Sequence, residues 1–370
     1  MFKRDTSNLE LARLQFEAIK AHAGKKIFID PYETDTSIRR LELPLPTLNK
    51  ILSGKYFGEH SGFAMGKLYS FVGMESTGKT ALSLYIAGTI IKNGGVVAWL
   101  DKENSFDPEY AKNVFGIDIY DTEHFILLKP DNAEEAFDAL QSLVDNQAVD
   151  LAVVDSIPAL GASASNENDA NSNSMATLAR RIAEHIPRII NKCNEAGTSI
   201  IYINQLRANI SGGMAYGKKQ TGGNTMLFAP HCTLFFRRKE EVEKGTGDMA
   251  EFIGQEILIK AEKNKLAFPK QYGLFMLYPG EGFSRETDIL NLALNTGVCK
   301  KSGSWYSFGE ERIGQGIDTV RGILKENHEL TDKIWDKTKL ALNPVFDITT
   351  GEIIEEESKS TKKGKKTLAA

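Results

Sequence analysis

Residues 68–92 constrain this chain more than any other stretch. An apolar run, Leu68–Val72, leads directly into Gly73-Met74-Glu75-Ser76-Thr77-Gly78-Lys79-Thr80, and a helix-forming segment follows at 79–92. This is G-x-x-x-x-G-K-[ST] set between a strand and a helix, the context in which the pattern binds phosphate. Glycines let the backbone curl until several N–H groups converge on one anion, at a helix N-terminus that already favours negative charge. The loop predicts a nucleoside triphosphate held by Gly73, Glu75, Ser76, Thr77, Gly78, Lys79, Thr80 and Ala81. Lys79 is expected to reach the β- and γ-phosphates, and the Thr80 hydroxyl to bind Mg2+.

The surroundings of the loop fit an open α/β sheet. Further apolar runs lie at Val96–Leu100, Phe125–Leu128, Leu151–Val154 and Ser199–Ile203. They are unbroken rather than alternating, as in strands buried on both faces. Helical patterns at about 107–115, 133–145 and 175–195 separate them, which predicts a doubly wound, mainly parallel sheet. Three later runs, 231–237, 254–262 and 271–278, have no helices between them and read as antiparallel strands that extend the sheet. The pattern also predicts an N-terminal helix, with Leu9, Ala12, Phe16, Ile19 and Ala23 on one stripe, and a small mixed C-terminal module from about 283 to 345. The last residues, acidic and then basic, read as a disordered tail.

A phosphate loop of this kind needs a second acid in the metal shell. Asp155 closes the run 151–154 at the C-terminal edge of its strand, where such an acid belongs. Hydrolysis also needs a group that orients water. Asp101 and Glu103, just past the strand 96–100, both qualify, and spacing does not choose between them.

Charge supplies the next constraint. Lys and Arg number 45 against 49 Asp and Glu, a net charge of −4, so any grip on nucleic acid must be local. From Ala196 to Lys239 there is not one acid, where average content would place about six. The same stretch holds Arg207, Lys218, Lys219, Arg237, Arg238 and Lys239, and 208–223 is glycine-rich. A basic loop at the C-terminal edge of such a sheet sits where ligands bind. It fits a phosphate backbone held by Lys, Arg and glycine N–H groups, with Ile210, Met214 or Tyr216 wedged between bases. The bland alternative is a surface loop that happens to be basic. By contrast, 161–174 has no basic or aromatic residue and reads as a linker.

Together these residues resemble the RecA family of recombinases, including phage relatives of the UvsX type, over about 40–345. The marks are GMESTGKTAL (73–82), WLDKENSFDPEYAKNVFGID (99–118), VDLAVVDSIPAL (149–160), INQLRANI (203–210), TGGNTMLF (221–228), FFRR (235–238), KNK (263–265) and WYSFGEERIGQG (305–316). The resemblance implies a RecA-like P-loop NTPase core, binding ATP and Mg2+, with Thr80 and Asp155 at the metal. It makes Glu103 the group that activates water, Tyr110 the ring that stacks on adenine, Asp107 a base contact and Gln205 the sensor of the γ-phosphate. Lys263 and Lys265 match lysines that reach the ATP of an adjacent protomer, and Phe228 matches an interface residue. The implied DNA contacts are Met175, Arg181, Arg188, Arg207, Asn209, Ile210, Ser211, Gly212, Gly222, Gly223 and Asn224, with a first DNA loop at 161–177.

The expected activity is DNA-dependent ATP hydrolysis by a helical filament on single-stranded DNA that pairs with homologous duplex DNA and exchanges strands. A hexameric ring helicase on the same fold is the alternative. A passive single-strand binder is disfavoured by the intact Lys79, Thr80, Glu103, Asp155 and Gln205. Loader or mediator proteins are expected partners. Cys193, Cys232 and Cys299 lie too far apart for a zinc module or a disulfide framework. The first thirty residues lack the apolar core of a signal peptide, and no run suffices for a membrane span, which predicts a cytoplasmic protein. The expected organisation is 1–35 for oligomerisation, 36–282 for the ATPase core, 283–345 for a small C-terminal domain and 346–370 for the tail.

Overall fold

The computed structural model describes residues 37–161, 170–206, 221–244 and 251–343, together with helical residues 10, 11 and 14; for 170–175 and 244 only the backbone is described. Two compact units are distinguished, Met1–Arg39 and Arg40–Ala370. The N-terminal stripe and the tail both fall wholly outside the described residues.

In the second unit the elements follow in order. β1 (Arg40–Leu41), α1 (Pro46–Ser53) and β2 (Phe63–Ala64) precede β3 (Leu68–Gly73) and α2 (Lys79–Lys92). Then come β4 (Val97–Asp101), α3 (Pro108–Phe115), β5 (Phe125–Leu128), α4 (Ala133–Asp145), β6 (Leu151–Asp155), α5 (Ile157–Leu160), α6 (Ala170–Ala196) and β7 (Ser199–Gln205). α7 (Gly223–Phe228) leads to β8 (Cys232–Lys244), β9 (Glu251–Asn264), β10 (Tyr272–Tyr278) and β11 (Gly282–Phe283). The chain continues through α8 (Arg285–Asn295), β12 (Cys299–Ser302), β13 (Trp305–Phe308), β14 (Glu311–Gln315), α9 (Ile317–Glu326) and α10 (His328–Leu342).

The main sheet has the order β11-β10-β9-β8-β3-β7-β6-β4-β5. β8, β3, β7, β6, β4 and β5 run parallel; β9, β10 and β11 each add antiparallel to the strand before. Successive residues of the central strands point to opposite faces. Tyr69, Phe71, Val97, Trp99, Val153 and Ile201 pack with Leu82, Ile86 and Ile90 of α2. Leu68, Ala98, Leu100, Ala152, Val154, Ile200 and Tyr202 pack on the other side with Phe137 and Leu140 of α4 and Leu178, Ile182 and Ile186 of α6. Both faces are therefore covered, which is why these strands read as unbroken apolar runs. The connecting helices carry their own start signals. Asp107 caps α3 with Pro108 in its first position, and Asn132 caps α4, accepting from the N–H groups of Glu134 and Glu135.

Residues 285–342 form a separate small core of Ile289, Leu290, Ala293, Cys299, Tyr306, Val320, Leu324 and Ile334. One of its links to the rest of the unit is a buried carboxylate: Asp288 of α8 accepts from the backbone N–H of Thr47 at the first turn of α1, 2.9 Å away. A negative group at a helix N-terminus satisfies donors that the helix leaves open.

Three elements differ from the sequence reading. α6 starts at Ala170, not at 175, so 170–177 of the expected 161–177 loop is helical, while 162–169 lie outside the described residues. The Asn- and Ser-rich stretch 161–174 reads as a linker by composition, but its part 170–174 holds no Gly or Pro to stop a helix that is already nucleated downstream. β8 runs on to Lys244, beyond the expected end at 237, because its charged second half pairs with β9 in a long hairpin. The short α7 was not anticipated, since Gly222 and Gly223 read as loop.

Candidate functional site

The phosphate loop joins β3 to α2 at the centre of the parallel edge. Gly73 and Gly78 are needed for space. A Cβ on Gly73 would sit 2.7 Å from the Phe236 carbonyl oxygen; Gly78 has φ +83° and a Cβ there would lie 3.2 Å from Leu277. Met74, Glu75 and Ser76 are exposed at the mouth of the loop, whereas Thr77 and Ala81 are buried. The Thr77 hydroxyl donates to the Met74 carbonyl at 2.8 Å, and the Lys79 ammonium donates to the same oxygen at 2.6 Å. Burial lowers the Lys79 pKa, and the charges of Asp155, Glu103 and Glu75 work against that shift. Its cation is thus held among acids, in the cradle where the phosphates would arrive.

Three acids stand at the ends of two adjacent strands, and their bonds tell them apart. Asp101 is buried and accepts from the N–H groups of Ser105 and Phe106, both at 3.1 Å, so its carboxylate shapes the turn after β4. Glu103 accepts instead from the Ser156 hydroxyl and from the Gln205 amide, the latter at 3.3 Å. Asp155 accepts from the Thr80 hydroxyl at 3.1 Å. Burial, and then the charge of Glu103, pushes the Asp155 pKa up to about 7. A hydroxyl beside a carboxylate is a pair of hard oxygen donors suited to a small divalent cation, whose charge would favour the ionised carboxylate.

The end of β7 links this cradle to the acid-free segment. The N–H of Leu206 donates to the Gly73 carbonyl at 3.2 Å, so the segment leaves the sheet from the first residue of the phosphate loop. Asn204, fully buried, donates to the Thr221 carbonyl at 2.8 Å and accepts from the Thr221 N–H at 3.3 Å. This one amide pins the two ends of 205–221 together. Gly222 and Gly223 then turn the chain at φ +96° and +65° into α7, where Asn224 is exposed. At the far end of α7, Lys263 donates to the carbonyls of Leu227 (3.2 Å) and Phe228 (2.5 Å), and Lys265 to that of Phe228 (3.3 Å). Cations at a helix C-terminus satisfy its open carbonyls. Burial and the neighbouring Lys265 bring the Lys263 pKa down to about 8. Phe228 itself is 70% exposed.

The remaining candidates are placed as follows. Tyr110 is half-buried and meets Phe115 edge-on, ring centroids 5.4 Å apart. One carboxylate oxygen of Asp107 is engaged by the N–H groups of Glu109 and Tyr110. Arg181 pairs with Glu134 of α4 at 2.7 Å, and Arg188 is exposed two turns further along α6. Met175 lies in the helical backbone, its side chain outside the described set; Arg207, Asn209, Ile210, Ser211 and Gly212 lie outside the described residues. Sequence reasoning missed Ser156, Thr221 and Gln255, whose amide donates to the Ser76 carbonyl at 3.3 Å. The polar pair Asn204-Gln205 closing an apolar strand was the available signal for the anchor at Asn204. Nothing local marked Gln255.

A phosphate loop after a central parallel strand, acids at the ends of two neighbouring strands and an antiparallel extension beyond β8 define a P-loop nucleoside triphosphatase. The comparisons narrow this class. The family model for the RecA N-terminal domain matches residues 55–284, and that for the RecA C-terminal domain matches 287–343. The chain is 34% identical over 299 residues to the chromosomal protein RecA of Lactococcus lactis subsp. lactis, covering 80% of this chain and 76% of that one. It is 35% identical over 312 residues to protein RecA of Leptospira meyeri (82% and 78% covered). Against protein RecA of Bifidobacterium breve it is 35% identical over 280 residues (75% and 69%). The chain belongs to the RecA family.

Proposed function

We infer that this protein is an ATP-dependent recombinase: it assembles as a filament on single-stranded DNA, pairs it with homologous duplex and exchanges strands, hydrolysing ATP in response to DNA. The observation that carries the reading is the bonded path at the end of β7. Gly73 of the phosphate loop, Gln205 beside Glu103, and Asn204 holding Thr221 join the ATP cradle to the acid-free segment within a few residues. The ring-helicase alternative loses ground because both RecA domains are matched in order.

In this reading Lys79 and the loop N–H groups bind the triphosphate, and Tyr110 and Asp107 hold the base. Thr80 and Asp155 would hold Mg2+, which supplies charge neutralisation at the β- and γ-oxygens. Glu103 orients and deprotonates the attacking water, its carboxylate aimed by Ser156 and Gln205. Gln205 then exchanges its bond to Glu103 for one to the γ-phosphate, which moves the start of the basic segment. ATP and ADP bind DNA-competent and DNA-releasing arrangements differently, and that difference is all a ligand needs to shift the balance. Lys263 and Lys265, bound to their own α7, would turn toward the ATP of a neighbouring protomer in the filament. Arg207, Asn209, Ile210, Ser211, Gly212, Gly222, Gly223 and Asn224 carry the main DNA grip, with Met175, Arg181 and Arg188 supporting it.

The same reading assigns 1–35 to oligomerisation, 36–282 to the ATPase core, 283–345 to a small C-terminal domain and 346–370 to a tail. It expects a cytoplasmic protein delivered to DNA by loader or mediator proteins; no helix among the described residues is long and apolar enough to cross a membrane. The test is ATP turnover with and without single-stranded DNA across a salt series, followed by strand exchange. Stimulation that fades as salt rises is expected, because phosphate contacts release counterions. Turnover indifferent to DNA would contradict the assignment.

A further inference from the structure

The turn between β10 and β11 has the phosphate loop and the base-binding helix on one side and the small C-terminal domain on the other. On the inner side, Gly78 packs against Leu277 and Phe283, which would lie 3.2 and 3.4 Å from a Cβ there. Gly282, at φ +77°, lies against α3 so closely that a Cβ would come within 3.0 Å of Phe115 and 3.2 Å of Val114. Phe115 is the ring that meets Tyr110. Any shift of residues 277–283 is therefore felt at Gly78 and at Tyr110, since packed interiors transmit displacement rather than absorb it.

The outer side is held by α9. The Tyr278 hydroxyl donates to Asp318 at 3.1 Å, and the Arg321 guanidinium lies 3.8 Å from the centre of the Tyr278 ring. Arg321 also donates to Glu281 at 2.6 Å, and Lys325 to the same carboxylate oxygen at 2.9 Å. Arg321 is only 15% exposed, and its Nε is buried with no acceptor among the described residues. Planarity lets an arginine stack on a ring and fork to a carboxylate at once, which a lysine cannot do. Burial, followed by the charge of Asp318, pushes the Tyr278 pKa up to about 12. Burial would raise Glu281, yet the hydrogen bonds from Lys325 and Arg321 hold it below the usual carboxylate range.

We propose that Arg321, acting through Tyr278 and Glu281, is a positioning residue for nucleotide: it seats the 278–283 turn against Gly78 and Phe115 and so ties nucleotide affinity to the seat of the C-terminal domain. The proposal rests on the reading of Lys79 and Tyr110 as nucleotide contacts. No part of the clamp touches the reacting atoms, so it acts on binding and leaves the chemical step alone.

The test compares the full-length wild type with Arg321→Gln, Arg321→Lys and Glu281→Gln. The readouts are affinity for a fluorescent N-methylanthraniloyl ADP, KM and kcat of DNA-stimulated ATP turnover, and circular dichroism melts. Arg321→Gln should raise both the ADP Kd and the KM for ATP about fivefold, the size of a modest coupling between sites, with kcat at saturation within about twofold of wild type. Glu281→Gln should shift KM in the same direction by less, and Arg321→Lys should recover part of the loss. A folded Arg321→Gln with unchanged Kd and KM overturns the proposal, as does a fall in kcat with KM intact. If Arg321→Gln does not fold, Glu281→Gln carries the same test, and an unchanged KM there overturns it. Lys79→Ala separates the two levels. Normal binding of the fluorescent ADP by Lys79→Ala would sink the nucleotide-site reading itself, whereas its loss beside a normal Arg321→Gln sinks only the clamp.

Discussion

The phosphate cradle and the segment that hangs behind it are held in place by different means. The cradle is a contiguous run, 73–80, whose shape comes from two close-packed glycines and from bonds within the loop, such as Thr77 and Lys79 to the Met74 carbonyl. The segment 205–221 is tied at its two described ends by partners distant in sequence. Leu206 bonds to Gly73, Asn204 bonds to Thr221, and Lys263 and Lys265 hold the helix that follows. A locally built site draws its shape mostly from residues next to one another. A segment whose ends are tied by long-range bonds can be reset when one of them changes partner. That contrast is what a nucleotide-controlled grip on DNA requires, and it can be broken by removing one kind of support at a time.

The largest effect should come from the cradle. Lys79→Ala removes the cation proposed to neutralise the phosphates, and ATP turnover is expected to fall by about a thousandfold, with no ATP-driven filaments in electron micrographs. Glu103→Gln should bind nucleotide as wild type does while single-turnover hydrolysis drops by roughly two orders of magnitude; normal hydrolysis would move the base to another residue. Asn204→Ala attacks the anchor instead. Both polar groups of Thr221 lose their partner in a buried place, at a cost of about 1–3 kcal/mol in a denaturant melt. DNA stimulation should weaken while basal turnover persists, and equal loss of both would erase the distinction between the two regions.

The smallest effect lies at the contact between the large and small domains. Burial raises Asp288 to about 6, above its ordinary value, so wild-type stability is fullest while that carboxyl is protonated and declines as pH rises through about 6. Asp288→Asn has no such titration. Between pH 5 and pH 8 the difference in unfolding free energy should therefore move in favour of the variant by about 1–2 kcal/mol. A pH-independent difference would mean that the carboxyl titrates normally.

The parallel half of the sheet was legible because strands covered on both faces leave unbroken apolar runs, and the phosphate loop was legible because its geometry needs adjacent residues. Asp101 and Glu103 could not be separated by spacing alone; the structure separates them by what each carboxylate bonds, a turn for one and Ser156 with Gln205 for the other. The early start of α6 escaped notice because composition speaks for a linker, while a helix needs only the absence of breakers to continue. Gln255 and the Arg321–Tyr278–Glu281 clamp had no local signal at all. Their meaning comes from partners brought together by the antiparallel extension and the small domain, contacts that no periodicity encodes.

The most direct test of the coupling is the affinity for fluorescent single-stranded DNA in the presence of a slowly hydrolysed ATP analogue or of ADP, in wild type and in Gln205→Ala. The expected result is that wild type binds DNA far more tightly with the ATP analogue, whereas Gln205→Ala binds both nucleotides and DNA but with DNA affinity that no longer depends on which nucleotide is bound. A Gln205→Ala protein that keeps the full wild-type dependence would contradict the account, because the cradle and the DNA segment would then communicate by some other route.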